Sequence, residues 1–101
     1  MKRIRTKYEY HDAELVRVQW VADEELVLDF DLCFDGIVVS VRFQGVRNRE
    51  EVERQLCSIA SRMTHERYLA DVVGIWREDD RTFLLDTSQG AVTIIASNML
   101  E

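Results

Sequence analysis

"ELVLDFDLCFDGIVVSVRF", residues 25–43, decides the fold class. Leu26, Leu28, Phe30, Leu32 and Phe34 face one way, while Glu25, Val27, Asp29, Asp31 and Cys33 face the other. A period of two marks a strand with one buried face. Asp35-Gly36 interrupts the pattern, and a two-residue type I′ turn favours that pair because both central residues need positive φ. Ile37, Val39, Val41 and Phe43 then resume the alternation. A two-residue turn predicts the pairs Phe34–Ile37, Leu32–Val39, Phe30–Val41 and Leu28–Phe43, all apolar on apolar. On the other face it sets Asp29 against Arg42. Turn chemistry and apolar pattern agree on this hairpin.

Working outward, the strand at about 13–21 offers Val16, Val18 and Trp20 to the core and places Arg17 near Asp29 or Asp31. Arg17, Asp29 and Arg42 then form a cross-strand charge ladder. After the hairpin, Asn48 and Glu51 have capping-box spacing. Val52, Leu56, Ile59, Ala60 and Met63 follow along one helical face, and Gly45 relaxes the entry to this helix. Residues 68–97 read as three more strands, near 69–78, 82–87 and 91–97, with turns at Asp79-Asp80 and Gln89-Gly90. Leu84, Leu85, Ile94 and Ile95 suggest burial on both faces there. "VQWVADEELVLD" (18–29) and "IWREDDRTFLLD" (75–86) share length and shape. They are either a duplicated unit or two ordinary hairpins. The expected fold is therefore α+β: an antiparallel sheet of about six strands, in two three-stranded meanders joined by one amphipathic helix. Residues 1–101 form one domain, with 1–7 a basic arm or an added edge strand.

The 101 residues are 47% apolar, which argues against disorder. Cys33 and Cys57 lack zinc or disulfide-framework spacing, so both read as reduced, packed thiols of a cytoplasmic protein. No apolar run reaches the length of a membrane span, and no apolar segment of a secretory leader follows the basic "MKRIRTK". The net charge is −6, with Lys2, Arg3, Arg5 and Lys7 all in the first seven residues. The acidic remainder argues against nucleic acid as a partner and suits a basic protein.

Candidate chemistry is sparse. His11-Asp12 is a pair that metal-dependent phosphohydrolases use, but further ligands at matching positions are missing; the only other histidine is His65. The bland reading is a polar residue satisfying backbone groups where the first core strand begins. Neither cysteine has a histidine close in sequence to activate it. There is no phosphate-binding glycine loop and no nucleophile elbow, so no catalytic residue and no cofactor are expected. The acidic residues Glu25, Asp29, Asp31 and Asp35 line one side of the central hairpin. They are the candidate partner-binding face.

"YHDAELVRVQW" (10–20), the alternating strand pair, "VRFQGV" (41–46) and "VVGIW" (72–76) together resemble a group of small bacterial domains. That group includes predicted immunity proteins of polymorphic toxin systems, and the resemblance spans most of residues 10–97. It implies an antiparallel α+β domain that binds and blocks a toxin without catalysis of its own. Two alternatives stand beside it. One is a structural domain that forms homodimers through sheet edges. The other is a small metal-dependent hydrolase built on His11 and Asp12.

Overall fold

The computed structural model describes residues 2–3, 6–32, 37–62 and 69–101. The elements are β1 (Lys2–Arg3), β2 (Glu14–Ala22), β3 (Glu25–Asp31), β4 (Val38–Gln44), α1 (Arg49–Arg62), β5 (Ala70–Asp79), β6 (Thr82–Thr87), β7 (Gly90–Ile95) and β8 (Asn98–Leu100). The fold is α+β. Two meanders, β2-β3-β4 and β5-β6-β7, flank one helix, as the alternating pattern requires. Seven strands run in the order β7-β6-β5-β2-β3-β4-β8, and β1 pairs with β5. The expected last strand, 91–97, ends at Ile95, and β8 is a further short strand, not expected, that pairs with β4.

The sheet is strongly curled. Four inter-strand spacings separate β6 from β4, which in a flat sheet is roughly 19 Å. Yet Phe43 of β4 and Phe83 of β6 stack edge-to-face with centroids 5.5 Å apart. Ala96 and Ser97 alone join β7 to β8, although these strands stand at opposite ends of the order. Curling gives the concave face a core made of every long strand. Leu15, Leu26, Leu28, Phe30, Val41, Phe43, Phe83, Leu85, Val92 and Ile94 are all fully buried there. Leu84 and Ile95 are only half-buried, so β6 and β7 bury one face rather than two.

The seam between the two ends of the sheet is closed by backbone bonds and by α1. Arg47 N–H donates to Ile95 O and Ser97 N–H to Gln44 O across it, while Val46 N–H to Glu24 O and Ala96 N–H to Arg81 O tie the two flanks to turns of their own meanders, each at 2.8 Å. Gly45 sits at this crossing with φ +67°, and a Cβ there would meet Ser97 Oγ at 2.5 Å. Only glycine satisfies both the conformation and the approach. The helix lies along the outer edge of β7. Asn48 Oδ1 accepts from Ile95 N–H (2.9 Å), and its Nδ2 donates to Thr93 O and to Glu51 Oε1 (both 2.7 Å). Gln55 Oε1 accepts from Thr93 N–H at 2.8 Å. Asn48 does precede the helix, and its carbonyl accepts from Val52 N–H. Its side-chain oxygen, however, seals a strand edge. Val52 and Ile59 are the buried helix residues and Leu56 packs beside them. Ala60 and Cys57, both expected to pack, are exposed. Met63 lies outside the described residues.

The central hairpin departs from expectation in register. Leu26 faces Phe43, Leu28 faces Val41 and Phe30 faces Val39, while Leu32 N–H donates to Ile37 O at 3.0 Å. The pairing is slipped by two residues from the two-residue-turn register. Residues 33–36, Asp35-Gly36 included, lie outside the described residues. A slip of two keeps every side chain on its face. The seam end decides the register. Leu26–Phe43 pairing leads into the Phe43–Phe83 contact, and Gln44 is held by Ser97. Ile37 and Val38 are exposed.

In β2, Val16 is not a core residue in step with Val18 and Trp20. A register shift falls between Leu15 and Arg17, so Leu15 is the buried residue and Val16 the bulge. The second hairpin repeats this feature at matching positions. Its shifts fall between Val72 and Gly74 and between Arg77 and Asp79, as those of the first fall between Leu15 and Arg17 and between Trp20 and Ala22. Both turns have two residues, Asp23-Glu24 and Asp80-Arg81, rather than the expected Asp79-Asp80 for the second. The third turn is Ser88-Gln89, one residue earlier than read. The hairpins meet about a local two-fold through the Glu14–Asp71 pair. Leu69 N–H donates to Leu15 O, and at the equivalent place Asp12 N–H donates to Val72 O.

At the mouth of the curl, Tyr10 is buried edge-to-face on Phe30, at 5.2 Å between centroids. Its hydroxyl donates to Glu101 Oε2 at 2.7 Å, and the same carboxylate accepts from Lys7 N–H. Burial, then the Glu101 carboxylate, pushes the Tyr10 phenol far above its ordinary ionisation range. The unfolded phenol ionises near 10. The raised value therefore contributes stability that is complete below pH ~10 and is lost as pH rises further, at about 1.4 kcal/mol per pH unit. Between pH 9 and pH 11, urea unfolding should show the wild type losing about 1.4 kcal/mol more than Tyr10→Phe does, because the unfolded phenol is only partly ionised over that interval. Parallel pH profiles would contradict it.

Candidate partner-binding face

On the convex face of the sheet, outward side chains form rows across the strands. One row runs Asp71 (β5), Glu14 (β2), Asp31 (β3) and Val38 (β4). The next runs Arg17, Asp29 and Ser40, and a third runs Gln19, Val27, Arg42 and Leu100. The first row puts three carboxylates on three adjacent strands. Like charges side by side along this row concentrate negative potential on the convex face. The pairing of Glu14 with Asp71 lies on the local two-fold, where related strands bring equivalent residues face to face.

The four expected acidic residues divide. Asp29 accepts a hydrogen bond from Ser40 Oγ and faces Arg17. Asp31 belongs to the carboxylate row. Glu25 stands towards the seam end of the face. Its Oε2 lies 3.5 Å from Arg42 Nη1, and its Oε1 accepts from Gln44 Nε2. Asp35 lies outside the described residues. The expected Arg17–Asp29–Arg42 ladder is replaced by Arg17–Asp29–Ser40, because the two-residue slip moves Arg42 opposite Val27. Glu14 and Asp71 are additions. Asp71 Oδ2 also accepts from Gln89 Nε2 at 3.1 Å. Glu14 aligns with Asp31 only once the bulge at Val16 is placed, and Asp71 only through the long-range β2–β5 pairing. The one sequence signal for Asp71 was the repeated hairpin, in which it occupies the position of Glu14.

His11 and Asp12 form the tight turn that enters β2. Asp12 takes φ 67°, and its N–H donates to Val72 O. His11 Nδ1 lies 3.2 Å from Val73 O, and its Nε2 lies 3.6 Å from Asp12 Oδ2, with both side chains largely exposed. Among the described residues, no three His, Cys, Asp or Glu side chains converge on a point that could hold a metal ion. Among the same residues, no helix is long and apolar enough to cross a membrane.

At the helix N-terminus, Arg49 stacks over the Trp20 ring at 4.4 Å, pairs with Glu53 at 2.8 Å and donates to Asp23 O at 3.3 Å. It holds the first turn of α1 to the β2–β3 turn. The Arg49 charge is thus committed to fold contacts. Comparison with protein-family models, with curated proteins and with solved structures finds no match for this chain.

Removing one charge from the carboxylate row lowers the density of like charge on this face. Glu14→Gln is expected to stabilise the domain by roughly 0.2–1 kcal/mol at low ionic strength, with the gain shrinking in high salt as screening takes over. Thermal unfolding at two salt concentrations checks this. A variant less stable than the wild type at both salts would show that the row is held together rather than strained.

Proposed function

We propose that this domain is a non-catalytic binding module for a basic protein, with the convex carboxylate face as its contact surface. The observation that carries the reading is the row Asp71–Glu14–Asp31, with Asp29 beside it. Such a row gathers negative charge on an outward face of the sheet, where it meets an approaching partner. A basic partner would present the complementary charge. The overall net charge of −6 points the same way, since it steers encounter with positively charged surfaces. The resemblance to immunity proteins gives such a module a concrete role, as an inhibitor that occludes a basic toxin.

The test is capture from the lysate of the source cell, with wild type and an Asp29→Lys/Asp31→Lys variant as paired baits. The reading expects a basic protein retained by the wild type, released by salt and lost from the variant. Retention of the same protein by both baits, or capture only of acidic proteins, would rule out this face as the contact.

A further inference from the structure

Deepening that reading, and resting on it, we infer that the partner docks as an extended basic segment that adds a strand to the free edge of β4. Three independent features meet at this edge.

The first is open backbone. Leu32 N–H bonds Ile37 O, so in β4 the odd-numbered residues bond β3 and the even-numbered ones point outward. Beside β4, β8 pairs only with Arg42, Phe43 and Gln44. Among the described residues no strand pairs with the outward groups of Val38 and Ser40. These two residues offer two N–H donors and two carbonyl acceptors to an incoming strand.

The second feature is exposed apolar surface. The exposed large apolar residues among those described are Val21, Ile37, Val38 and Leu100. Three of the four border this edge, Ile37 and Val38 at one end and Leu100 at the other. A shallow groove lined by Val27, Ser40, Arg42, Leu100 and Glu101 opens where β8 stops.

The third is charge. The carboxylate row ends at Val38, with Asp31 as its neighbour, and the next row ends at Ser40, with Asp29 behind it. A residue added opposite Val38 or Ser40 would lie about 10 Å, two strand spacings, from Asp31 or Asp29. A lysine or arginine stem would cover that gap while lying over Val38 or the small Ser40 side chain. The intervening residue, opposite Val39, would face the core side and would be apolar. The lane is short, because continuing the β8 register brings Glu101 level with Val41. The segment recognised is therefore basic–apolar–basic, in extended conformation.

The probe is an acetylated, amidated eight-residue peptide alternating lysine and valine, titrated into labelled protein and followed by amide NMR. Controls are the same peptide with alternate backbone nitrogens methylated, and a glutamate–valine analogue. The proposal expects the lysine peptide to protect the Val38 and Ser40 amides from exchange. It expects the methylated and acidic peptides to bind at least tenfold more weakly. Ser40→Pro removes an outward N–H and leaves the β3 ladder intact, so it should fold normally and also lose at least tenfold in affinity. If the methylated peptide binds equally well and perturbs Asp29 and Asp31 but not Val38 and Ser40, strand addition is wrong while the acidic contact stands. No binding by any peptide, or protection of Val38 and Ser40 in the free protein at high concentration (a second copy on the edge), overturns the proposal.

Discussion

The structure depends on how the outer edge of β7 is satisfied. A sheet that curls until its end strands meet must bury an edge, and a buried backbone N–H or C=O without a partner costs about 1–3 kcal/mol. Asn48 and Gln55 remove that cost. Between them they take Thr93 N–H, Thr93 O and Ile95 N–H, while Arg47 N–H takes Ile95 O. The same contacts fix the helix, whose buried surface is modest. Val52 and Ile59 alone would leave α1 weakly placed. Sealing the edge and docking the helix are therefore one event, and the closure that follows brings Phe43 against Phe83.

Closure also distributes the remaining edges. β7 is covered, whereas β4 is paired by β8 over only three residues. Native sheets normally blunt an exposed edge with charge, proline or brevity. Here brevity is present, but Ile37 and Val38 add apolar surface rather than removing it. The convex face carries carboxylates that the core does not need. The contacts that close the sheet lie at the seam, while exposed apolar residues and outward carboxylates gather around the β3–β4 hairpin. That separation suits a rigid scaffold presenting one adhesive edge.

Much of the fold could be read from residues 25–43. Alternation identified the buried face of β3 and β4 because period two survives whatever the partner. For the same reason it could not reveal the register, since a two-residue slip leaves Leu26, Leu28 and Phe30 on the same side. The turn pair Asp35-Gly36 argued for the tighter register, and the seam contacts, which are long-range, outweighed it. Val16 looked like a core residue because a bulge has no signature in a single strand. Asn48 was legible as the helix start, but nothing local shows that its amide serves Thr93 and Ile95 from 45 and 47 residues away. Of the site, Asp29 and Asp31 were legible from the hairpin alone. Glu14 and Asp71 needed the β2–β5 pairing, which only the tertiary fold supplies.

The most direct test is residue-resolved amide hydrogen exchange on the free protein at low concentration. Thr93 and Ile95 point away from β6, so on an ordinary edge strand they would exchange within the fast class. The account predicts that both are protected to the level of the core amides, while Val38 and Ser40 exchange quickly. Fast exchange at Thr93 and Ile95 would mean that the helix does not seal the sheet. Slow exchange at Val38 and Ser40 would mean that the edge assigned to a partner is already covered. Either would contradict the account.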